Sequence, residues 1–184
     1  MSRTNRNGIL GENMELLDLY DVNRNKTNLI IKRGDPVPRG YYRLVVHVCI
    51  FNQRNEMLIQ QRTENKKWPN KWDITAGGCV SSNYDSQSTM SKELKEELGI
   101  DFDFSKIRPV FTFNFDEGFD DFYLIKQDIK LSSLILQKEE VKDARWATMD
   151  EILELIKNNE FITYSEELIR LLFQIKDTLD IYTE

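Results

Sequence analysis

The pattern of apolar and polar positions predicts a chain that begins with strands, passes through one amphipathic helix and ends with two further helices. Residues 42–52 are apolar and β-branched, as expected for a buried strand, and a polar turn separates them from residues 56–62. Thr148 and Thr163 each begin a Thr-x-x-Glu capping box followed by apolar residues at helical spacing. The sequence predicts the first helix at 86–98 and strands at 15–22, 27–33, 42–52, 56–62, 72–76, 108–117 and 119–128.

This order of elements predicts a single α/β domain with a mixed β-sheet. The chain has 184 residues, of which 40% are apolar, and this suits one domain with a full core. Residues 14–184 contain no internal repeat or linker, so they are expected to form that one domain. Residues 1–13 are polar and rich in Asn, Arg and Gly, and are expected to be a flexible leader.

Composition and charge exclude several classes of function. No apolar run approaches the ~20 residues of a membrane span, and the N-terminus lacks the apolar region of a secretory signal. We therefore expect a cytoplasmic protein that engages no membrane. The 25 basic and 31 acidic residues give no nucleic-acid footprint, so a nucleic-acid polymer is not an expected partner. The single histidine, His47, excludes a site built from several histidines.

The predicted helix at 86–98 carries the most informative polar pattern. Glu93, Glu96 and Glu97 stand at i, i+3 and i+4, which gathers three carboxylates on one helix face. The opposite face is apolar, and the helix follows the glycine pair 77–78. Carboxylates below a glycine turn suit a hard cation that prefers oxygen ligands. The alternative from spacing alone is an acidic helix face that points into solvent.

The same segment resembles the signature of the Nudix hydrolase superfamily, Gly-x5-Glu-x7-Arg-Glu-U-x-Glu-Glu-x-Gly-U, where U is a bulky aliphatic residue. Two positions differ: Tyr84 replaces the first glutamate, and Lys92 replaces the arginine. The resemblance implies an α/β/α sandwich with a mixed β-sheet. The matching positions are Gly78, Glu93, Leu94, Glu96, Glu97, Gly99 and Ile100.

The resemblance also implies a reaction and a set of metal ligands. Members of this superfamily hydrolyse a diphosphate linkage in a small molecule, here of the nucleoside-diphosphate type, with Mg²⁺ or Mn²⁺ as cofactor. By the matched positions, Glu97 and Glu96 would hold the metal, and Glu93 would bind metal or act as the base. A backbone carbonyl of the glycine loop, at Gly77 or Gly78, would add a ligand.

Other site candidates lie outside the matched positions. Glu140 occupies the region where many members carry an extra metal-binding glutamate; the alternative is a solvated loop. Arg62 and Arg43 are candidates for binding the phosphates, and Lys66 lies near Arg62 along the chain. Trp68 would stack on a base or pack its own loop.

The two departures from the signature have physical consequences. Lys92, also a candidate substrate-binding residue, keeps the positive charge of an arginine but loses its bidentate fork. Tyr84 removes a carboxylate, for which the adjacent Asp85 would substitute only after a one-residue slip. A weakened or altered metal site is therefore expected. The N-terminal hairpin formed by 15–22 and 27–33 is a candidate homodimer contact.

Two rival functions remain open from the sequence. Residues 67–72 resemble the isopentenyl-diphosphate isomerase branch of the superfamily. Aligned through these residues, the isomerase cysteine would fall on Gly77, and Cys79 lies two residues too late. Kinship with isomerase-like hydrolases is therefore favoured over isomerase chemistry. The third reading is a nucleotide-binding module that has lost turnover, which Tyr84 and Lys92 support and the intact glutamates oppose.

Overall fold

A computed structural model of the protein describes residues 15–177, and the predicted leader lies outside them. The described part of the chain contains three α-helices, α1 (Ser86–Leu98), α2 (Met149–Lys157) and α3 (Glu166–Ile175). No helix within it has both the length and the apolar character needed to cross a membrane. Its strands are β1 (Leu16–Tyr20), β2 (Lys26–Lys32), β3 (Arg43–Phe51), β4 (Met57–Arg62), β5 (Trp72–Asp73), β6 (Ala76–Cys79), β7 (Phe111–Phe115), β8 (Gly118–Lys126) and β9 (Val141–Ala147).

The main sheet is mixed, as predicted, and its strands splay apart near the centre. Strand β3 pairs in parallel with β8 along its whole length, and the other pairs are antiparallel. Strands β3 and β4 meet only at Phe51 and Met57 and then diverge. Strand β5 pairs with β4 and strand β6 with β3, and these two short strands fill the gap between them. The divergence leaves room for a cleft beside β6.

Helices cover both faces of the sheet, which confirms the predicted α/β fold. Helix α1 packs one face through Met90, Leu94 and Leu98, all fully buried against apolar side chains of β3 and β8. Helices α2 and α3 pack the opposite face with a second apolar cluster. Burying each aliphatic side chain of this size contributes about 1.5–3 kcal/mol. These contacts fix α1, and with it the glutamates, against the sheet.

The limits of α1 follow from its sequence and match the predicted 86–98. The Asp85 carboxylate accepts a hydrogen bond from the Ser88 backbone N–H, and the Ser88 hydroxyl bonds back to Asp85. The helix ends at Gly99, whose φ of 70° is the left-handed conformation that glycine adopts without strain. Local signals alone therefore determine where α1 starts and stops.

Three local details differ from the prediction. The expected strand at 72–76 is two short strands, because Thr75 bridges the diverging β3 and β4 through its hydroxyl. The sequence does not predict strand β9, because its charged residues obscure the alternation of apolar and polar positions that marks a strand. Its pairing with β4 is what establishes it as a strand. Helix α3 is capped by Ser165 and not by Thr163, because Tyr164 turns its side chain inward to Asp73.

The hairpin of β1 and β2, confirmed by the structure, is joined to the domain by a buried carboxylate. Asp121 on β8 is fully buried and forms an ion pair with Arg24 in the hairpin turn. Its oxygens also accept hydrogen bonds from the Ser86 and Thr112 hydroxyls, at 2.6 Å each. Asp121 thus connects the hairpin, α1 and the edge strand β7.

Replacing Asp121 with alanine is expected to cost about 2 kcal/mol of unfolding free energy, because Arg24 loses its buried partner. Urea denaturation followed by circular dichroism measures this. Asp101→Ala is the matched control, because the Lys95–Asp101 pair is exposed and contributes at most about 1 kcal/mol. Equal losses for the two variants would contradict the structural role given to Asp121.

Candidate active site

The predicted glutamates lie in a cleft of about 250 Å³ between α1, the glycine loop and the segment before β9, here called the acidic cleft. The hairpin of β1 and β2 closes one side of it. Four cationic side chains line the cleft together with the acidic ones: Arg33, Arg62, Lys66 and Lys92. Its acidic residues are Glu15, Glu93, Glu96, Glu97 and Glu140.

Glu97 is the most deeply buried carboxyl of the cleft, with 5% of its surface exposed. The Gln60 side-chain amide donates a hydrogen bond to its Oε2 at 2.9 Å. Burial, together with the nearby charge of Glu93, raises the pKa of Glu97 to about 8. The side-chain amide oxygen of Gln60, Oε1, is also buried and has no hydrogen-bond partner in the described part of the chain. This end of the cleft therefore has buried oxygens but lacks positive charge.

Glu93 lies directly against the glycine loop. A Cβ atom at position 78 would come within 2.7 Å of the Glu93 side-chain carboxyl carbon, so Gly78 is required by this close approach. Burial raises the pKa of Glu93, and Lys92 opposes that shift. Gly77 lines the cleft, and a Cβ atom there would stand 2.2 Å from the His47 ring. The glycines thus let the glutamate and the loop backbone meet.

Three of the four cleft cations are paired with carboxylates of the same cleft. The Lys92 ammonium lies 2.9 Å from Glu96 and 3.5 Å from Glu93. Arg33 contacts Glu15 at 2.6 Å, and Lys66 contacts Glu140 at 2.5 Å. Each of these three cations therefore already has an anionic partner within the cleft.

Arg62 differs from the other three because it is held from outside the acidic cleft. Its Nη1 lies 3.0 Å from the buried carboxylate of Asp73, and its Nε donates to the Lys67 carbonyl at 2.8 Å. Asp73 also accepts a hydrogen bond from the Tyr164 hydroxyl at 3.2 Å. Burial raises the pKa of Asp73, and the charges of His47 and Arg62 oppose that shift. The guanidinium is thus fixed in place while lining the cleft.

The remaining predicted site residues lie at the rim of the cleft or away from it. Trp68 is 37% exposed, and its ring centre lies 6.0 Å from the Arg62 guanidinium carbon. Arg43 does not line the acidic cleft, because it pairs with Glu117 at 3.3 Å and lies over Phe115. Tyr84 is exposed.

Asp85 lies outside the cleft, whereas residues next to the N-terminal hairpin lie within it. The Asp85 carboxylate caps α1 and does not line the cleft. Sequence reasoning missed Glu15, Arg33 and Ser81, which meet in the cleft through a Ser81-to-Glu15 hydrogen bond of 2.6 Å and the Arg33 ion pair. No local pattern marks them, because the fold of the hairpin brings them together.

The donor set fits a divalent cation, although the described residues contain no cluster of three acidic, histidine or cysteine side chains already poised as ligands. Mg²⁺ keeps several waters and needs only one or two carboxylates from the protein. Glu97 supplies a buried carboxyl and Glu93 a partly buried one, and burial raises the pKa of both. The unpartnered Gln60 oxygen beside Glu97 points the same way.

Comparisons with known proteins show which family the chain belongs to. The NUDIX domain family matches residues 41–168. An uncharacterized Nudix hydrolase of Listeria monocytogenes is 43% identical over 170 residues, which cover 92% of this chain and 99% of the relative. A crystal structure from Deinococcus radiodurans superposes with a TM-score of 0.70 at 25% identity, covering 86% of this chain and 99% of that one.

A further solved structure shares the fold alone. The NUDIX domain of Shewanella oneidensis NrtR, complexed with ADP ribose, gives a TM-score of 0.56 at 16% identity. It covers 76% of this chain and 89% of that one. The family match and the Listeria relative, each spanning most of this chain, confirm the predicted superfamily: the protein belongs to the Nudix family and is a Nudix hydrolase.

Proposed function

We propose that this Nudix hydrolase is metal-dependent and cleaves a diphosphate linkage in a nucleoside-diphosphate-type small molecule. The observation that carries the proposal is the acidic cleft, which is lined by the carboxyls of Glu93 and Glu97 and by the fixed guanidinium of Arg62. Carboxylates bind the cation, and a guanidinium binds phosphate oxygens. Both halves of a metal-diphosphate complex therefore find partners in one cleft.

The proposed metal ligands are those that the Nudix resemblance implies, and all of them line the acidic cleft. Glu97 and Glu96 would hold the ion, with the Gly77 backbone and Glu140 as further ligands. When bound, Mg²⁺ or Mn²⁺ supplies positive charge against the diphosphate oxygens and makes water more acidic. Burial, and after it the charge of Glu93, raises the pKa of Glu97, and a bound cation would favour the ionised carboxylate.

Glu93 is proposed as the general base. A water oxygen attacks phosphorus, its proton passes to the Glu93 carboxylate, and the bridging phosphorus–oxygen bond breaks to release a phosphate or phosphate ester. Burial raises the pKa of Glu93, and a raised pKa makes this carboxylate a stronger base. Its contact with Gly78 fixes the position of the carboxylate.

The substrate is proposed to lie between the cations and the aromatic rim. Arg62 and Lys92 bind the phosphates, and Trp68 stacks on a base because its partly exposed ring stands beside Arg62. The ADP ribose bound by the Shewanella domain supports a nucleoside diphosphate joined to a further group. Arg43 is left out of this site, because Glu117 holds it elsewhere.

The two rival functions receive less support from the contacts. An isomerase cysteine at position 77 has no room, because a Cβ atom there would clash with the His47 ring at 2.2 Å and the Val46 carbonyl at 2.9 Å. The binding-module reading rests on Tyr84 and Lys92. Lys92 still contacts two glutamates of α1, as a residue that orients them must.

A panel of nucleoside diphosphates and their derivatives, assayed with Mg²⁺ and with Mn²⁺, tests this function. We expect phosphate products that appear only with a divalent cation. Tight nucleotide binding without any product across the panel would favour the binding module. Deuterium incorporated into isopentenyl diphosphate from heavy water would favour the isomerase.

Two further proposals concern the state of the protein in the cell. We propose a cytoplasmic location and a homodimer formed through the hairpin of β1 and β2. Leu16, Leu29 and Ile30 leave more than two-fifths of their surface exposed on this hairpin, and an apolar surface of this kind favours association. Light scattering on the wild type and on a Leu29→Lys/Ile30→Lys variant tests the dimer, which only the wild type should form.

A further inference from the structure

An ion pair between Lys66 and Glu140 joins two segments that line the acidic cleft. The Lys66 ammonium lies 2.5 Å from Glu140, and about a quarter to a third of each side chain is exposed. The backbones around them are also joined, because the Thr63 N–H donates to the Glu140 carbonyl at 3.1 Å and the Thr63 hydroxyl to the Glu139 carbonyl at 2.9 Å. The fold therefore sets the backbone positions from which both side chains enter the cleft.

The pair places an ammonium group on a carboxylate that the proposed function assigns to the metal. A divalent cation on Glu140 repels the Lys66 charge at this distance, so the two cations compete for one carboxylate. Lysine has a long, flexible stem and a compact charge, so it moves without disturbing the backbone. A phosphate oxygen in the same cleft offers the displaced ammonium a new partner.

The other cleft cations lack this combination. Arg62 is fixed by Asp73 and the Lys67 carbonyl, neither of which is a proposed metal ligand. Arg33 is held by Glu15, which is also outside the proposed ligand set. Lys92 contacts two glutamates of its own helix and keeps one when the other binds metal.

We propose that Lys66 is a diphosphate-positioning residue, and that a divalent cation bound at Glu140 would displace Lys66 from its ion pair with that carboxylate toward the diphosphate. This inference rests on the proposed function. Cation and diphosphate then bind with positive coupling, part of which runs through Lys66. By thermodynamic reciprocity, the diphosphate strengthens cation binding by the same factor.

Isothermal titration calorimetry with Mn²⁺ alone, methylenediphosphonate alone and both together tests the inference without any turnover. Lys66→Met is expected to bind Mn²⁺ about threefold more tightly, because a competing ion pair is lost. With Mn²⁺ present, the same variant is expected to bind methylenediphosphonate about tenfold more weakly, because a charge-assisted contact is lost. Tighter Mn²⁺ binding together with weaker methylenediphosphonate binding distinguishes release of Lys66 from a general disruption of the cleft, which would weaken both.

Glu140→Gln supplies the complementary test. Its Lys66 is permanently free, so metal-free methylenediphosphonate binding is expected to tighten about threefold. That gain must disappear in the Lys66→Met/Glu140→Gln double variant. Lys142→Met is the matched control, because Lys142 is exposed and contacts Asn70 outside the cleft.

Three results would overturn the inference. If the gain of Glu140→Gln survives in the double variant, it reflects a general loss of negative charge and not release of Lys66. If Lys66→Met behaves like Lys142→Met while the wild type binds Mn²⁺, the inference fails and the proposed function stands. If the wild type binds no Mn²⁺, both fail together.

Discussion

Replacing Glu97 with glutamine is expected to lower the rate of metal-dependent diphosphate hydrolysis by at least about 100-fold, because even ligand-supporting residues are worth 10–100-fold in metal sites. The substitution keeps the shape of the side chain and removes only its charge. Steady-state kinetics with Mg²⁺ or Mn²⁺ measure the loss. Glu167→Gln on α3 is the control, because this helical glutamate is exposed and remote from the cleft.

The same substitution is expected to stabilise the metal-free protein. Burial raises the pKa of Glu97 from 4.5 to about 8, so the folded state binds a proton that the unfolded state releases above pH 4.5. The wild type therefore loses stability as the pH rises from about 4.5 to about 8, and glutamine removes this loss. At pH 7, about 2.5 units above the lower pKa, we expect a gain of about 3 kcal/mol, or roughly 6–12 °C in melting temperature.

Melting curves in chelator at pH 4.5 and pH 7 test the stability effect. The two proteins should melt together at the lower pH and separate at the higher one. If the two proteins melted at equal temperatures at both pH values, ionising Glu97 would cost no stability, and the raised pKa given to this carboxyl would be wrong. Unchanged kinetics would remove it from the metal site.

Gly78→Ala is expected to lower turnover by about 100-fold with little loss of stability. The new methyl group would meet the Glu93 carboxyl carbon at 2.7 Å, so this side chain must move away from the loop. A displacement of about 1 Å in a catalytic group can cost that factor. Assays under saturating metal, alongside thermal denaturation, measure both quantities.

Gly77→Ala makes a matched comparison with Gly78→Ala. Its methyl group would clash with the His47 ring, which Asp120 holds at 2.6 Å, and with the Val46 carbonyl. Neither can move freely, so we expect a loss of about 1–3 kcal/mol of stability. If Gly78→Ala also lost mainly stability and kept its rate, the packing of Glu93 against the loop would have no catalytic role.

Helix α1 could be predicted because its sequence signals are local. The spacing of Glu93, Glu96 and Glu97, the cap at the start and Gly99 at the end all lie within one short segment. Their presence in one cleft follows once the helix packs its apolar stripe on the sheet. Glu140 was also placed in the cleft, as the position after the central strands suggested.

The parts that sequence reasoning missed depend on contacts between distant residues. Glu15 and Arg33 enter the cleft because the hairpin is tied to β8 through Asp121, and nothing in their neighbours along the chain indicates this. The start of α3 was placed too early because Tyr164 is drawn inward by Asp73. In each case a buried polar contact overrides the local pattern.

The substitution of arginine by Lys92 is compatible with an ordered site. The Lys92 ammonium contacts both Glu93 and Glu96. It therefore bridges the two glutamates, although an arginine guanidinium would bind them with bidentate hydrogen bonds. Tyr84, which stands where the signature has a carboxylate, is exposed and lies outside the cleft, so it leaves the ion pairs of the cleft intact. The contacts therefore favour an active enzyme over a module without turnover.

Binding of Mn²⁺ to the purified protein, followed by electron paramagnetic resonance of the free ion, tests the central claim most directly. The wild type is expected to remove Mn²⁺ from solution in a saturable manner, and Glu97→Gln is expected to bind at least about tenfold more weakly. Identical binding curves for the two proteins, or no binding by the wild type, would contradict the assignment of the acidic cleft as the metal site.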